Sequence, residues 1–270
     1  MAKIIPLDKV LKAGTEYVTD KREVLVIKKI GTNSAEIGQI FIDRKPTTRA
    51  YSIISPPYRT TSNFMPLFDL GELFNVVPPE TRILWNGAPG SILRIVGYKI
   101  QLDPGEAVEA GLMGRFNAQF GSYWTVIEGS FSKGVDAAWP AGEENTVLTL
   151  APSTIEEYLL NNVIMASVSN VSGGINPGDW AIRFHLDKAP LEFVYGTTLQ
   201  LGVDALSMPR PPSGTTELTP FTLADFPISV PGDHILEIKA INTSGMNKSP
   251  PSGTSITVTV TLAAKYFRKG

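Results

Sequence analysis

The residues with the clearest potential for acid–base chemistry are the two histidines of the chain, His185 and His234. His185 lies two residues before Asp187 in a segment where apolar and polar residues alternate. In a β-strand, residues i and i+2 share a face, so His185 and Asp187 would lie on one face of the strand and Phe184 on the other. A carboxylate beside an imidazole can orient it for base catalysis. A solvated outer face, or one covered by a neighbouring subunit, has the same pattern, and we favour that interpretation.

Other motifs give little indication of catalysis or ligand binding. His234 follows Asp233 at a predicted turn, and we interpret it as a loop residue. No phosphate-binding glycine loop and no nucleophile elbow occurs in the sequence. The loop 172–179 offers Asn and Asp oxygens but lacks the acidic density of a calcium site. We therefore predict no catalytic residue, no metal site and no cofactor, and expect a protein that is not an enzyme.

Large aromatic residues form the other candidate site. They are Trp124, Trp180, Trp139 and Tyr123. Aromatic rings on an exposed sheet face can stack on sugars, whereas packing in a core or an interface is the more common role of such residues. The sequence is compatible with two roles for these aromatic residues, a glycan-binding platform and a packing cluster at an interface.

Composition narrows the class of protein. Lys and Arg number 24 against 26 Asp and Glu, so the net charge is −2, and a dedicated nucleic-acid binder would carry a basic excess. The absence of Cys excludes disulfides, thiol nucleophiles and Cys-ligated metals. Charged residues make up 19% of the chain, below the usual ~25%. This low charge favours a protein that buries part of its surface against neighbours.

Short apolar or alternating runs separated by Gly and Pro predict a mostly β protein with one or two short helices. Strands are predicted at 24–27, 39–42, 76–77, 83–85, 91–102, 124–127, 146–150, 163–168, 180–186, 236–240 and 256–262. Asn86-Gly87 predicts a hairpin between two of them. Helices are predicted at 154–162, where Ser153 and Glu156 form a capping box, and at 7–13.

The predicted organisation has two domains. Residues 1–204 form a β body that includes a long irregular connection at 46–66, and residues 205–270 form a smaller module. The Pro-rich segment 208–214 suits a stiff linker between them. Lys265 to Lys269 form a basic, aromatic tail, which we expect to be a solvated terminus, with lipid headgroups of a membrane, nucleic acid or an acidic neighbour as the alternative contacts.

The segment Val230-Pro-Gly-Asp-His-Ile-Leu-Glu-Ile-Lys-Ala-Ile-Asn-Thr-Ser-Gly, followed by Ser249-Pro-Pro-Ser and Ile256-Thr-Val-Thr-Val, resembles the last two strands of immunoglobulin-like or fibronectin III-like modules. The resemblance covers roughly residues 205–263. It implies a presenting or binding module and transfers no catalytic residue.

The first two thirds of the chain, with many short strands and Pro-rich loops, resemble viral jelly-roll coat proteins, in particular capsid subunits of tailless double-stranded DNA phages and archaeal viruses. The resemblance implies an antiparallel jelly-roll-like sandwich carrying a smaller Ig-like β-sandwich. It also implies a structural virion protein that assembles with copies of itself and with a possible second coat protein.

The alternative function is a carbohydrate-binding or adhesion β-sandwich protein, with glycan as its partner. The apolar start, Ile4 to Leu7, is too short for a signal peptide, and no run approaches the ~18 apolar residues of a membrane span. Synthesis in a host cytoplasm and residence in a virion are therefore expected.

Overall fold

The structure is a computed structural model that describes residues 3–34, 36–44, 47–53, 67–119, 121–175, 179–191, 203–204, 221–222 and 227–269. As predicted, the protein is mostly β. Its strands are β1 (Lys3–Lys12), β2 (Glu16–Val18), β3 (Glu23–Thr32), β4 (Gly38–Arg44), β5 (Thr47–Ile53), β6 (Phe68–Asp69), β7 (Asn75–Val77), β8 (Arg82–Asn86), β9 (Ile92–Gln101), β10 (Ser122–Ser132), β11 (Glu144–Leu150), β12 (Glu156–Ser169), β13 (Trp180–Leu186), β14 (Ala189–Pro190), β15 (Val203–Asp204), β16 (Phe221–Thr222), β17 (Ile228–Val230), β18 (Leu236–Asn242) and β19 (Thr257–Arg268). The helix α1 spans Ala110–Ala118, and a 3₁₀ turn spans Gly71–Leu73.

The chain divides into two compact units. Unit 1 is Met1–Val126 with Lys265–Gly270, and unit 2 is Ile127–Ala264. The chain leaves unit 1 within β10 and returns to it within β19. The domain boundary expected at 204/205, the linker at 208–214 and most of the residues around them lie outside the described residues, so these remain predictions.

Unit 1 contains two antiparallel sheets, with strand orders β1-β9-β3-β6 and β2-β8-β4-β5, and β7 also pairs with β3. Each sheet has a buried apolar face. In some of its strands buried residues alternate with more exposed ones, and in others nearly every residue is buried. In the first sheet Leu93 and Ile95 of β9 are fully buried, and in the second Ile83 and Trp85 of β8 are. The strand β3 is buried on both faces along most of its length.

A bulge in unit 1 depends on one glycine. The register between β3 and β9 shifts between Ile27 and Lys29, opposite Gly97. A Cβ on Gly97 would overlap the backbone carbonyl of Val26 and would lie 3.1 Å from the backbone nitrogen of Lys28. The two strands can approach this closely because residue 97 has no side chain.

We expect Gly97→Ala to lower the free energy of unfolding by about 1–3 kcal/mol, because the added methyl group meets backbone that cannot move without breaking the ladder. The matched control is Gly114→Ala in α1, where a Cβ would meet nothing within 4 Å. That substitution should stabilise the protein by up to about 1 kcal/mol, since Ala favours helix. Urea unfolding of both variants measures the two effects, and equal effects would contradict this account.

Unit 2 is also built from two antiparallel sheets. Their orders are β10-β19-β12-β16, with β17 also on β12, and β11-β18-β13-β14, with β15 also on β13. The alternate residues Leu236, Ile238 and Ala240 of β18 are fully buried, as are Val258 and Val260 of β19. They belong to one continuous core cluster. β18, expected in the C-terminal module, is hydrogen-bonded between β11 and β13.

Both predicted helices are wrong. Residues 7–13 lie mostly in β1, which pairs with β9 along its whole length. Residues 156–162 open β12, and the capping-box contact is real but local: the Ser153 hydroxyl donates to the Glu156 carboxylate at 2.7 Å in the turn before the strand. Pairing with distant strands outweighs these local signals. The helix α1 was not predicted.

The predicted hairpin at Asn86-Gly87 is also wrong, although both flanking strands are present. β8 and β9 belong to different sheets, so the turn links the two sheets. Gly87 has no positive φ, whereas Gly90 has a φ of 81°. A Cβ on Gly87 would overlap the Trp85 ring, which also lies against Gly38. This glycine makes room for an indole instead of forming a type I′ turn.

The connection predicted at 46–66 is partly a strand. Thr47–Ile53 is β5, paired with β4 from Gly38↔Ile53 to Arg44↔Thr47, and residues 54–66 lie outside the described residues. Within the described ranges, no helix is long and apolar enough to cross a membrane.

Candidate functional site

His185 has a carboxylate partner, but not the expected one. It is buried on β13, and its Nε2 lies 3.3 Å from Oε1 of Glu144 on β11. Strand alternation ends at Leu186, and Asp187 enters a turn with a φ of 50°. The expected His185–Asp187 pair is therefore absent, and the carboxylate comes from two strands away in the same sheet.

Glu144 is shared among several cations. Nη1 of Arg183 lies 3.3 Å from its Oε1, and Nζ of Lys239 lies 4.0 Å from its Oε2. The register explains this grouping, because Arg183 faces Lys239 across the strand pair and His185 faces Glu237. A carboxylate held by cations on several sides is an ion-pair centre on a sheet face. Its geometry fits cross-strand stabilisation.

Asp187 pairs with the other histidine. Nδ1 of His234 lies 2.6 Å from Oδ2 of Asp187, and the backbone N–H of Ile235 donates to Oδ1 at 3.0 Å. These contacts join the turn after β13 to the loop before β18. The backbone hydrogen bond from Ile235, followed by that of His234, lowers the pKa of Asp187. The pair therefore acts as a surface clasp between two loops.

We expect the clasp to depend on pH. A carboxylate whose pKa is lowered in the folded state contributes stability above its unfolded pKa of about 3.8, and that contribution is lost as the pH falls through the lower folded value. Asp187→Asn should therefore lower the melting temperature slightly at neutral pH. The difference from the unsubstituted protein should shrink below about pH 4. Thermal unfolding from pH 7 to pH 2 measures it, and a pH-independent difference would contradict the assignment.

The predicted aromatic site lies in the protein interior. Trp139 has no exposed surface, Trp180 is 3% exposed and Trp124 is 7% exposed. Tyr123 is half-buried, and its ring centroid lies 4.7 Å from that of Tyr266. These residues do not form one exposed face, so their placement gives the glycan interpretation no support and fits packing.

Trp139 is the most closely held of these aromatics. It exchanges backbone hydrogen bonds with Lys248, and its backbone carbonyl accepts from the buried Asn242 amide at 2.8 Å. Its indole N–H donates to the Glu143 carbonyl at 3.1 Å. The ring is therefore a structural support for the loops between β10 and β11 and between β18 and β19.

Replacing a buried indole should cost folding free energy. We expect Trp180→Ala to lower the free energy of unfolding by about 3–5 kcal/mol, since it removes a large indole side chain from a close-packed core. Ile155→Ala, at a position that is 42% exposed, is the control and should change it by about 0.5 kcal/mol or less. A folded Trp180→Ala protein of unchanged stability would contradict the core role.

The basic tail at 265–269 is not a free terminus. Residues up to Arg268 belong to β19, and Nζ of Lys265 lies 2.9 Å from the Glu72 carboxylate. The Arg268 backbone N–H donates to the carbonyl of Gly121. Tyr266 is buried, so the expected solvated tail is limited to Arg268 and Lys269, which are exposed. The acidic group that Lys265 contacts, Glu72, belongs to the same chain.

The described part of the chain contains no cluster of metal-binding side chains. Within the described ranges, no three His, Asp or Glu side chains are placed to hold one ion. In the loop 172–179, Asp179 pairs with Lys248 at 2.7 Å, and residues 176–178 lie outside the described residues.

The most distinctive surface of unit 1 was missed by the sequence analysis. β1 lies at the end of its sheet, and among the described residues it pairs with β9 alone. On its outer face Ile4 is 68% exposed and Val10 is 50% exposed. Because 7–13 has helical spacing, the alternation of exposed even-numbered residues with more buried odd-numbered ones was not recognised.

This outer face is continuous with the neighbouring strand. The exposed residues of β1 lie opposite half-buried residues of β9, in the pairs Ile4↔Ile100, Pro6↔Tyr98, Asp8↔Val96 and Val10↔Arg94. The single acid is neutralised, since Arg94 donates to both Asp8 oxygens at 2.8 and 2.6 Å. We call this mainly apolar surface the β1/β9 face.

The backbone edge of β1 that has no partner among the described residues borders the same face, and we call it the open edge. Ala13, which extends the ladder, donates its N–H to the carbonyl of Ser91 at 2.9 Å. Since successive residues of a strand direct their N–H and C=O groups to opposite sides, the odd-numbered residues face β9 and the even-numbered ones face the open edge. Pro6 is even-numbered, so its missing N–H removes no bond from the ladder.

Comparison with known proteins identifies no relative. No protein-family model and no curated protein matches the chain. Among solved structures, an IolB-like protein from Salmonella typhimurium LT2 aligns with a TM-score of 0.22 and 9% identity, over 97% of this chain and 83% of that one. The exported protein XepA of PBSX aligns with a TM-score of 0.17 and 14% identity, over 98% and 86%.

The VP2 subviral particle of infectious bursal disease virus aligns with a TM-score of 0.22 and 11% identity, over 100% of this chain and 77% of that one. All three similarities are weak, and we draw no argument about function from them. The candidate site therefore rests on the chain's own geometry.

Proposed function

We propose that this protein is a structural subunit, without enzymatic activity, that assembles with copies of itself into a virion coat. The observation that carries the proposal is the β1/β9 face beside the open edge of β1. An exposed apolar strand at a sheet edge offers both unpaired hydrogen-bonding groups and apolar area to a partner.

Two further properties of the chain support assembly. Its low content of charged residues, 19%, leaves less of the surface repelled by other copies. Several of its charged groups are also paired within the sheets, as in the Asp8–Arg94 and Glu144–Arg183 contacts. The virion setting itself comes from the resemblance to viral coat proteins noted in the sequence, and a second coat protein is a further possible partner within it.

The proposal predicts concentration-dependent assembly. Light scattering on a size-exclusion column should show discrete oligomers that grow with protein concentration and with added sulfate, because sulfate strengthens apolar association. Negative-stain images of the same fractions should show closed rings, sheets or shells. A monomer at every concentration and salt condition would overturn the proposal. Association that weakens steeply with any added salt would indicate ionic contacts in place of the apolar face.

A further inference from the structure

We propose that β1 pairs antiparallel with β1 of a second copy of this chain, with Leu7 opposite the partner's Leu7, so that two sheets of unit 1 continue into one. The inference rests on the proposed self-assembly and specifies the strand and the register that would mediate it.

The backbone of β1 allows such pairing in few registers. Ile4, Pro6, Asp8 and Val10 direct their backbone groups to the open edge, so in a two-fold pair each must lie opposite another even-numbered residue to form bonds. Centres at Pro6, Leu7 and Asp8 satisfy this condition near the middle of the strand. The register is therefore decided by which residues oppose each other.

Two of these centres are unfavourable. A centre at Pro6 places two prolines opposite each other, and neither has an N–H to donate. A centre at Asp8 places two carboxylates directly opposite, which is destabilising in a sheet. Pro6 and Asp8 thus select against the registers on either side of Leu7.

The centre at Leu7 avoids both of these juxtapositions. Ile4 lies opposite the partner's Val10, and each can donate to and accept from the other. Asp8 lies opposite the partner's Pro6, so the Asp8 N–H donates to the proline carbonyl, and only the Asp8 carbonyl receives no bond, because proline has no N–H. The two most exposed apolar residues of the strand, 68% and 50% exposed, cover each other on one face.

Charge does not oppose this pairing. Each Asp8 carboxylate is held by Arg94 of its own chain, at 2.8 and 2.6 Å. Nζ of Lys9 lies 3.6 Å from the centroid of the Tyr17 ring, on the other face of the strand. In the Leu7 register Lys9 lies opposite the partner's Ile5, so no two like charges are directly opposed. A second copy therefore matches this edge in apolar contact and charge, and in every backbone hydrogen bond except the one that would need a Pro6 N–H.

Disulfide cross-linking tests the register directly, because the natural sequence has no Cys. Ile4→Cys and Val10→Cys are made as separate proteins and mixed under mild oxidation. In the Leu7 register, residue 4 of one copy lies about 5.5 Å from residue 10 of the other between Cα atoms, within reach of a disulfide. Two residues at position 4 lie about 20 Å apart. A cross-linked dimer should form on mixing, and at least about tenfold less in either protein alone.

A second pair of variants tests the energetic contribution of the edge. Val10→Glu should weaken self-association at least tenfold, because each substitution acts twice across a two-fold interface. Val135→Glu, at a position that is 65% exposed in unit 2, is the matched control and should leave association unchanged. Circular dichroism of each variant confirms that the fold is retained.

The outcomes separate the two proposals. If the unsubstituted protein assembles but mixing gives no cross-link, or each cysteine variant cross-links equally well alone, the Leu7 register is wrong while self-assembly stands. The same conclusion follows if Val10→Glu assembles normally. If the unsubstituted protein is a monomer under all conditions, both proposals are overturned.

Discussion

Burial of alternate apolar residues on one face of each antiparallel sheet is the interaction on which the rest of this structure depends. In unit 2, every second residue of β18 and β19 enters one core, and the intervening residues are left to the outer faces. In unit 1, β3 is covered on both faces and holds β9, β6 and β7 around it. The positions of the remaining side chains, including both histidines, depend on which face of each sheet the apolar core occupies.

The same constraint separates paired surfaces from unpaired ones. On the outer face of β13, Arg183 and His185 meet Glu144, so the polar groups there are matched within the chain. β1 differs, because one backbone edge has no described partner and its outer face is mainly apolar. Natural edge strands are commonly guarded by Lys and Pro, and β1 contains Lys3, Lys9, Lys12 and Pro6. Such guards need not prevent pairing, and they limit the registers in which it can occur.

The sequence predicted the strands far better than the helices. Alternation in β18 and β19 repeats over enough residues to be unambiguous, and β13 was predicted to the residue. In β1, Leu7, Val10 and Leu11 also fit helical spacing, and only pairing with β9 decides between the two. Local pattern cannot contain that information, because β9 lies far along the chain.

The missed helix and the misplaced site have the same cause. α1 contains Gly111 and Gly114, which are poor helix formers, and its position is fixed by tertiary contacts: Phe116 is buried, and the Gln119 amide following the helix bonds both backbone groups of Val76. The partner of His185 likewise comes from a strand 41 residues away along the chain. The face of His185 could be read from periodicity, but its partner depends on strand order.

The passage of the chain out of unit 1 in β10 and back in β19 has a consequence for biosynthesis. Unit 2 is one continuous stretch, whereas unit 1 combines Met1–Val126 with Lys265–Gly270, which follow unit 2 in the sequence. Tyr266 and Lys265 reach Tyr123 and Glu72 only after the whole of unit 2 has been synthesised. On a ribosome, the two sheets of unit 1 are therefore synthesised well before the contacts that Lys265 and Tyr266 make with this unit can form.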